Sequence, residues 1–306
     1  MFLAAVGVIA ILVVLFKILH FAYQHLGVST DYKVYGAKQG AWAVVTGASE
    51  GIGKGFALAL AEKGFNLVII SRREDSLKPV AEKATTFGVQ TKIVPLDCNT
   101  PDAVQKLVAA VQGLDVSVLV NNVGLNTRYP ENLVDTPDNE IDNMINVNVT
   151  FTTKLTKAFI PILSKRRSII FNMSSFTGRC PVAMMSVYSA TKSYVDVFSR
   201  ALAAELKPVG IDVTSVLPHY VVSVMSGIRK ASLTIPEAVP FARTALKQAG
   251  CGSYAIAPHW AHDLTMKVVD CLPDFYVGKS GLAKMKFVRK RLIERDEREK
   301  NASKTQ

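Results

Sequence analysis

From residue 41 onward, short apolar runs alternate with longer segments that have helical periodicity. The runs lie at 41–46, 66–70, 92–96, 116–120, 168–173 and 212–217, with a seventh at 253–257. A run that is apolar at every position predicts a strand buried on both faces, because neighbouring side chains in a strand point in opposite directions. Such strands with helices between them predict an α/β fold, a doubly wound parallel sheet of about seven strands in a single domain.

The first 25 residues follow a different pattern. Phe2 to Tyr23 is apolar except for a few positions near its end, and about 20 apolar residues suffice to cross a bilayer as a helix. No basic residue precedes the run and no small-residue cleavage site follows it, so we predict a transmembrane helix that is retained rather than a signal peptide. Lys17, Lys33 and Lys38 lie at or after its end, which predicts that residues 30–306 face the cytosol.

These patterns divide the chain into four parts. We predict an anchor over 1–25, a linker over 26–40, one folded domain over 41–282 and a basic tail over 283–306. The formal net charge is +11, and residues 284–300 hold eight basic and four acidic residues. That tail is interpreted either as a solvated segment or as one that binds anionic lipid headgroups.

Composition also argues against several classes of function. The basic tail lacks interleaved aromatic residues and any nucleic-acid-binding motif, so no nucleic-acid partner is expected. The four cysteines are scattered, without a CxxC pair or neighbouring histidines, which argues against a metal site and against a disulfide scaffold. We therefore expect a reduced, cytosol-facing domain.

A glycine-rich turn follows the first predicted strand directly. Gly47, Gly51 and Gly53 stand between that strand and the helix predicted over 54–64. Glycines let the backbone turn tightly and approach a pyrophosphate, whose charge is stabilised at the helix N-terminus. This predicts a Rossmann-type dinucleotide site, to which we also assign Ser49 and Ile52 of the same turn.

The residues after the next two strands bear on which dinucleotide binds. The second predicted strand ends in Ser71, Arg72 and Arg73, where an NAD-binding chain would carry an acid for the ribose hydroxyl. A guanidinium suits a 2′-phosphate, so Arg72 predicts NADPH/NADP as the cofactor, unless both arginines are merely solvated loop charges. Asp97, after the third strand, is positioned to accept a hydrogen bond from an adenine amino group.

Tyr188 and Lys192 are four residues apart in a predicted helix. Such pairs are common on helix surfaces, because positions four apart share a face. Ser175 lies thirteen residues before the tyrosine, just after the fifth predicted strand, and Asn148 lies forty residues before the tyrosine in the segment "MINVNVT". The combination of these four residues with the glycine turn favours a catalytic site over a chance pair on a helix surface.

The chain resembles the short-chain dehydrogenase/reductase superfamily over roughly residues 40–280. The resemblance rests on the motifs "TGASEGIG", "NNVG" and "YSATK" and on Asn148 and Ser175. The resemblance implies that Tyr188 donates a proton, that Lys192 activates it and binds the ribose, and that Ser175 polarises the carbonyl. The lysine ammonium and a nicotinamide cation nearby are expected to stabilise the phenolate and so to lower the phenol pKa. It further implies that Asn148 links Lys192 to a water relay. Asn121 would tie the fourth strand to the edge of the cofactor.

One segment departs from that family's pattern. Members usually carry Pro-Gly after the sixth strand, whereas this chain has Pro218 followed by His219 and Tyr220. Ser223 stands where members commonly have a threonine near the cofactor's carboxamide, so that contact is expected to survive. His219 is interpreted as a loop residue rather than a catalytic one.

Longer stretches, such as "VYSATKSYVDVFSRAL", resemble two groups within the superfamily. These are the membrane-bound very-long-chain 3-oxoacyl-CoA reductases and the 17β-hydroxysteroid dehydrogenases. The first resemblance implies NADPH-dependent reduction of 3-oxoacyl-CoA to 3-hydroxyacyl-CoA in fatty-acid elongation, at the endoplasmic reticulum membrane, with elongase components as partners and a homo-oligomer left open. The second implies reduction of a steroid ketone. A membrane-tethered NADP-binding scaffold without turnover is the alternative from another class.

Two further features bear on the substrate. Four basic residues follow predicted strand ends and would suit the polyanionic CoA headgroup, although solvated loop charge explains each equally well: Arg128, Arg179, Arg229 and Lys230. The apolar segment 254–278 is interpreted as a cover for an acyl chain, as a surface resting on the bilayer, or as ordinary core.

Overall fold

All seven predicted strands form one parallel sheet in the computed structural model, which describes residues 2–249 and 252–304. The sheet has the order β3-β2-β1-β4-β5-β6-β7. Its strands are β1 (Trp42–Thr46), β2 (Asn66–Ser71), β3 (Thr91–Pro95), β4 (Val116–Asn121), β5 (Ser168–Met173), β6 (Ile211–Val216) and β7 (Ala255–Ile256). The predicted doubly wound fold is therefore confirmed. The strand order reverses between β1 and β4, and ligands of such sheets bind at the carboxyl ends beside that reversal.

Ten α-helices accompany the sheet in the described part of the chain. They are α1 (Phe2–Ala22), α2 (Gly51–Lys63), α3 (Lys78–Thr85), α4 (Ala103–Ala110), α5 (Asp138–Ile145), α6 (Thr152–Leu163), α7 (Ser186–Leu206), α8 (Ala238–Gln248), α9 (Trp260–Val269) and α10 (Asp274–Lys304). The predicted end of α2 at Gly64 is correct. Gly64 has φ +91° and its N–H caps the carbonyls of the last turn, a conformation that favours glycine.

Helices cover the sheet on both faces, as the uninterrupted apolar runs require. Alternate strand residues, such as Val45 and Val44, point to opposite sides and join two separate buried clusters. The first cluster contains side chains of α2 and α8, and the second contains side chains of α4, α6 and α7. Each fully buried leucine or phenylalanine contributes about 1.5–3 kcal/mol to folding, so both layers hold the sheet in place.

The N-terminal helix stands apart from these layers. Residues 4–27 form a continuous helical segment of 24 residues with mean hydropathy 2.5, long and apolar enough to cross a membrane. None of its most apolar part is buried against the rest of the chain.

The segment predicted as a linker is packed against the domain. Residues Tyr32–Tyr35 form a 3₁₀ turn, and both tyrosines are buried in the first core cluster. The Tyr32 hydroxyl donates to the Leu246 carbonyl at 2.9 Å, and the Tyr35 hydroxyl donates to Asp212 at 2.7 Å. These contacts fix the end of the apolar helix relative to the sheet.

The segment predicted as a basic tail is also part of the folded structure. The expected boundary at 282/283 falls inside α10, which continues without a break to Lys304. Met285 is buried, and Arg289 forms an ion pair with Glu131 at 2.7 Å. The basic residues of 284–300 therefore lie on a helix that is docked on the loop after β4.

Candidate active site

The glycine turn shapes the beginning of a cleft at the carboxyl ends of β1 and β4. Gly47 and Gly51 have φ of +64° and +54°, a region that side chains with a Cβ rarely adopt. A Cβ on Gly53 would overlap the Gly47 carbonyl oxygen. The first turn of α2 therefore begins close to the strand end, with its free N–H groups available to an anion.

The cleft has a volume of about 480 Å³ and brings most of the predicted cofactor residues together. Predicted residues that line it are Gly47, Ser49, Gly51, Ile52, Arg72, Asp97, Tyr188, Lys192 and Ser223. Gly53 lies behind the turn and acts by allowing close packing. Among the residues that the structure describes, no group of three or more His, Cys, Asp or Glu could hold a metal ion.

One end of the cleft carries opposite charges. Arg72 and Arg73 follow β2, and the backbone N–H of Asn99 donates to the Asp97 carboxylate at 3.0 Å. Arg72 is exposed and forms no ion pair within residues 2–249 and 252–304. Its guanidinium therefore remains available for an anionic group in the cleft.

The structure places Asn121 away from the cleft, contrary to the role that the resemblance implied. Its amide is buried in the sheet and donates to Thr156 at 2.9 Å and to Asn172 at 2.8 Å. The cleft is lined instead by Asn122, whose amide donates to the carbonyls of Thr46 and Gly47. Asn122 was not predicted because it stands next to Asn121 at the end of the strand. The sequence alone does not show which of the two side chains points into the cleft.

Tyr188 and Lys192 lie one turn apart on α7, facing the end of β5. The Lys192 amine donates to the Met173 carbonyl at 2.8 Å and lies 5.7 Å from the centroid of the Tyr188 ring. Ser175 follows the same strand, and its hydroxyl accepts from the backbone N–H of Thr177 at 3.1 Å. The fold thus brings the serine, the tyrosine and the lysine to one point.

Asn148 approaches the same point from a π-helical turn, Asn146–Phe151. Its amide oxygen accepts from the Leu125 N–H at 2.7 Å, and its amide nitrogen donates to Thr191 at 3.0 Å. A methyl group at Gly124 would lie 3.2 Å from the Lys192 amine and 3.3 Å from the Asn148 oxygen. Single π-helical turns often occur at functional sites, because they redirect one side chain.

Burial shifts the pKa values of the tyrosine and the lysine in opposite directions. Burial raises the pKa of Tyr188 to about 12, and the hydrogen bond to Ser175 offsets only part of that rise. Burial lowers the pKa of Lys192 to about 8. The expected lowering of the Tyr188 pKa by the lysine ammonium and a nicotinamide cation stays a prediction for the loaded site, whereas in the protein alone burial raises this pKa. The physical reason is that neither charged form is well solvated in this site.

A second, largely apolar cavity of about 390 Å³ meets the cleft at Tyr188. Ser175 and Tyr188 lie on its wall, and so do side chains of α9 and α10, namely Thr265, Val269, Val277, Ser280, Lys284 and Met285. Three of these residues lie within 254–278, the segment considered as a cover for an acyl chain, whereas Ser280, Lys284 and Met285 lie beyond it and were not predicted to line the site. The site therefore combines a polar cleft with a neighbouring apolar cavity.

His219 lies in the loop after β6, as interpreted from the sequence, and lines the apolar cavity. Its ring meets those of Phe176 and Tyr220 edge-on, with 4.4 Å between centroids in each case. Burial lowers the pKa of this imidazole to about 4, so the ring is neutral at physiological pH. It contributes shape and a neutral polar edge to the cavity.

Two of the four basic residues considered for a CoA headgroup are engaged elsewhere. Arg128 forms an ion pair with Asp296 of α10, and Arg179 forms one with Asp196 at 3.1 Å. Neither guanidinium is free in this conformation. This reduces the number of candidate headgroup contacts.

Comparisons with known proteins agree with this geometry. Residues 41–232 match the family model of short chain dehydrogenases. The chain is 41% identical over 253 residues to a very-long-chain 3-oxoacyl-CoA reductase of Scheffersomyces stipitis, covering 77% of this chain and 73% of that protein. It is 37% identical over 264 residues to the protein of the same name from Rattus norvegicus, covering 85% and 84% of the two chains.

A solved structure shares the fold. A short-chain dehydrogenase from Sphingobium yanoikuyae in complex with NADPH is 25% identical to this chain and superposes with a TM-score of 0.66. The match covers 75% of this chain and 92% of that one.

Proposed function

The chain belongs to the short-chain dehydrogenase family, and from this premise we propose that it reduces the keto group of a long 3-oxoacyl-CoA to a hydroxyl with NADPH. The observation that carries the proposal is the position of Tyr188 and Ser175, at the junction of the polar cleft and the apolar cavity. A substrate with a long apolar chain can fill the cavity while its ketone reaches these hydroxyls. Two relatives named very-long-chain 3-oxoacyl-CoA reductase support the choice of substrate.

In the proposed reaction, the bound nicotinamide supplies a hydride to the ketone carbon. The hydroxyls of Ser175 and Tyr188 donate hydrogen bonds to the ketone oxygen, where negative charge develops. Tyr188 then transfers its proton to that oxygen, and the product is the 3-hydroxyl. The high pKa of the buried phenol keeps it protonated until this step.

Lys192 and Asn148 complete the site in this proposal. The ammonium of Lys192 lies close enough to the Tyr188 ring to stabilise the tyrosinate that remains after proton transfer. Asn148 acts as a positioning residue and holds the loop at Leu125 beside the amine. A proton returns to Tyr188 from solvent along this polar side of the site.

The decisive experiment uses the full chain reconstituted in lipid nanodiscs. We expect NADPH consumption with a long 3-oxoacyl-CoA and little with a steroid ketone, while the reverse result would favour a steroid dehydrogenase. The variant Tyr188→Phe should lose turnover by at least about a thousandfold and still bind NADPH, because it lacks only the proton donor. Tight NADPH binding without turnover on any carbonyl compound would indicate a scaffold instead.

The choice of NADPH over NADH rests on Arg72. Its exposed guanidinium lies in the cleft beside Asp97, where it suits the 2′-phosphate that NADH lacks. The variant Arg72→Ala should raise the KM for NADPH at least about tenfold and leave the KM for NADH nearly unchanged. Lys83→Ala, an exposed cation outside the cleft, serves as the control for a general loss of positive charge. A wild-type preference for NADH would contradict the assignment.

We also propose that α1 anchors the enzyme in the endoplasmic reticulum membrane with the domain in the cytosol. Long acyl-CoA substrates partition into membranes, so an anchored domain keeps its active site near them. The partners implied by this function are the other enzymes of fatty-acid elongation.

A further inference from the structure

A stripe of exposed apolar side chains runs along one face of α9. Trp260, Leu264 and Val268 follow each other in α9 at intervals of four residues, Leu272 lies in the turn after the helix, and each of the four is between 38% and 52% exposed. Residues four apart lie on the same side of a helix. The side of α9 that carries Ala261, His262 and Met266 is buried, and next to it Thr265 and Val269 line the apolar cavity. A single helix therefore separates this stripe from the cavity.

The stripe continues onto the outer face of α10. Phe275 is 78% exposed, Tyr276 follows it, and Phe287 is 60% exposed three turns further along. Lys279, Lys286 and Lys290, spaced by seven and four residues, are exposed on the same side of the helix. We call the exposed residues of α9 and α10 named in these two paragraphs the outer face.

The outer face begins where α1 meets the domain. His25, just after α1, donates from Nε2 to the Asp263 carboxylate at 3.0 Å, since its Nδ1 accepts from the Gln248 amide at 3.1 Å. The Lys267 amine lies 4.8 Å from the centroid of the Phe21 ring and 2.5 Å from the Asp263 carboxylate. The end of the apolar helix is thereby held against α9.

We propose that the outer face is a second membrane-contact surface, which lies in the headgroup layer of the leaflet that α1 enters. The inference rests on the proposed anchoring by α1, whose end fixes α9 at the level of the lipid headgroups. Aromatic side chains combined with lysines are typical of helices that lie in the membrane interface, because the rings sit at the headgroup level and lysines bind anionic lipids.

The composition of the outer face favours lipid over a second protein chain. Lysine is depleted at protein–protein interfaces, whereas three exposed lysines interrupt the aromatic residues of α10.

A membrane position also has a consequence for the substrate. Residues of both α9 and α10 line the apolar cavity, so in this proposal an acyl chain would reach it from the bilayer between these two helices.

The two tryptophans of the chain allow a direct test in the intact protein. Trp260 lies on the outer face and Trp42 lies in β1, packed against the second core cluster. In nanodiscs that contain anionic lipids brominated near the headgroup, we expect strong quenching of wild-type fluorescence. Trp260→Phe should lose most of that quenching, and Trp42→Phe should keep it. Equal quenching of the two single variants would overturn the proposal. Protection of Trp260 from aqueous acrylamide without bromolipid quenching would indicate a protein contact and would also overturn it.

A second experiment separates this inference from the proposed reaction. Val268→Asp places a charge in the interface, so the KM for a long 3-oxoacyl-CoA in nanodiscs should rise about tenfold, while a short, water-soluble 3-oxoacyl-CoA should be reduced as before. The control Val134→Asp, at an exposed position outside α9 and α10, should change neither. An equal effect of Val268→Asp on both substrates, or no effect, would contradict the inference. Absence of turnover with both substrates in the wild type would instead reject the proposed function.

Discussion

At the scale of single residues, the site depends on two groups whose burial acts in opposite directions. Tyr188 is kept protonated by a pKa of about 12, and Lys192 titrates near 8. Both shifts have the same cause, since burial disfavours whichever form is charged. Because the tyrosine keeps its proton between pH 7 and 9, the lysine is the member of this pair that makes cofactor binding depend on pH in that range.

This difference predicts how cofactor affinity changes with pH. The ammonium of Lys192 is present below pH 8 and lost above it, and its positive charge favours an anionic dinucleotide. The Kd for NADPH should therefore rise between pH 7 and 9, by at most about tenfold per pH unit, as expected for a single linked proton. Fluorescence titration of the full chain in nanodiscs measures the Kd. Lys192→Arg keeps its charge at these pH values, so the same rise in that variant would exclude Lys192 as its source.

Gly53 provides a second prediction at this scale. The added methyl group of Gly53→Ala would overlap the Gly47 carbonyl and the Asn122 amide, and backbone cannot move aside as a flexible side chain can. Overpacking of this kind costs about 1–3 kcal/mol, so we expect a Tm several degrees lower and weaker NADPH binding. In Gly278→Ala, by contrast, the new Cβ meets open space within α10, and the Tm should stay the same or rise slightly. Equal Tm values for the two variants would contradict this account of the turn.

At the scale of elements, the central strands could be predicted from sequence because each is apolar on both faces. The apolar runs at 66–70 and 168–173 match β2 and β5 to within one residue. The C-terminal helices could not be predicted in the same way. α10 carries charged residues on a long helix with few buried side chains, a composition that describes a solvated helix and a docked one equally well. Its docking depends on long-range partners such as Asp296 and Arg128, which no local pattern reveals.

In the site, too, local signals could be predicted from the sequence and long-range contacts could not. Glycine spacing and the Tyr188–Lys192 interval are local signals, and the structure brings these residues to one cleft. The facing of Asn121 and Asn122 depends on the register of β4 against β5, and the shift of the Tyr188 pKa depends on burial by distant segments. Tertiary contacts determine both, so a single sequence does not reveal them.

The docking of α10 leads to a prediction about one carboxylate. Asp296 accepts from Arg128 and from the Tyr129 hydroxyl, and these partners lower its pKa to about 2. The contribution of Asp296 to docking is thus complete above its ordinary pKa and lost only as the pH falls towards 2. At pH 7, Asp296→Asn should speed hydrogen exchange in α10 and raise the KM for a long substrate, since α10 walls the cavity.

The neighbouring variant Glu297→Gln is the matched control. Glu297 is exposed on the same helix and forms no ion pair within the described residues, so its neutralisation removes the same charge without an anchoring contact. Hydrogen–deuterium exchange of the two variants side by side measures the difference. If both exchange alike, the contacts of Asp296 do not hold α10 in place.

At the scale of the whole molecule, the polar cleft, the apolar cavity and the end of the apolar helix are connected to one another. The reversal of strand order between β1 and β4 opens the polar cleft, and α9 and α10 add an apolar cavity beside it. Of these two helices, α9 contacts the end of α1 through Asp263 and Lys267. The end of the apolar helix, the cavity and the nucleotide cleft are therefore linked, the first two through α9 and the last two through Tyr188.

The orientation of this arrangement can be tested in membranes. Lys17 lies near the end of the apolar run, and Lys33 and Lys38 follow it. The outer face of α10 adds further lysines, which also lie C-terminal to the apolar run. Positive charge close to a transmembrane helix is retained on the cytosolic side. In sealed microsomes, we therefore expect added protease to remove an epitope fused after Gln306, while a lumenal marker protein stays intact. Digestion of the epitope only after detergent would place the domain in the lumen. The substrate would then have to be supplied from the lumenal side, and the proposed partnership with cytosol-facing elongation enzymes would fail with it.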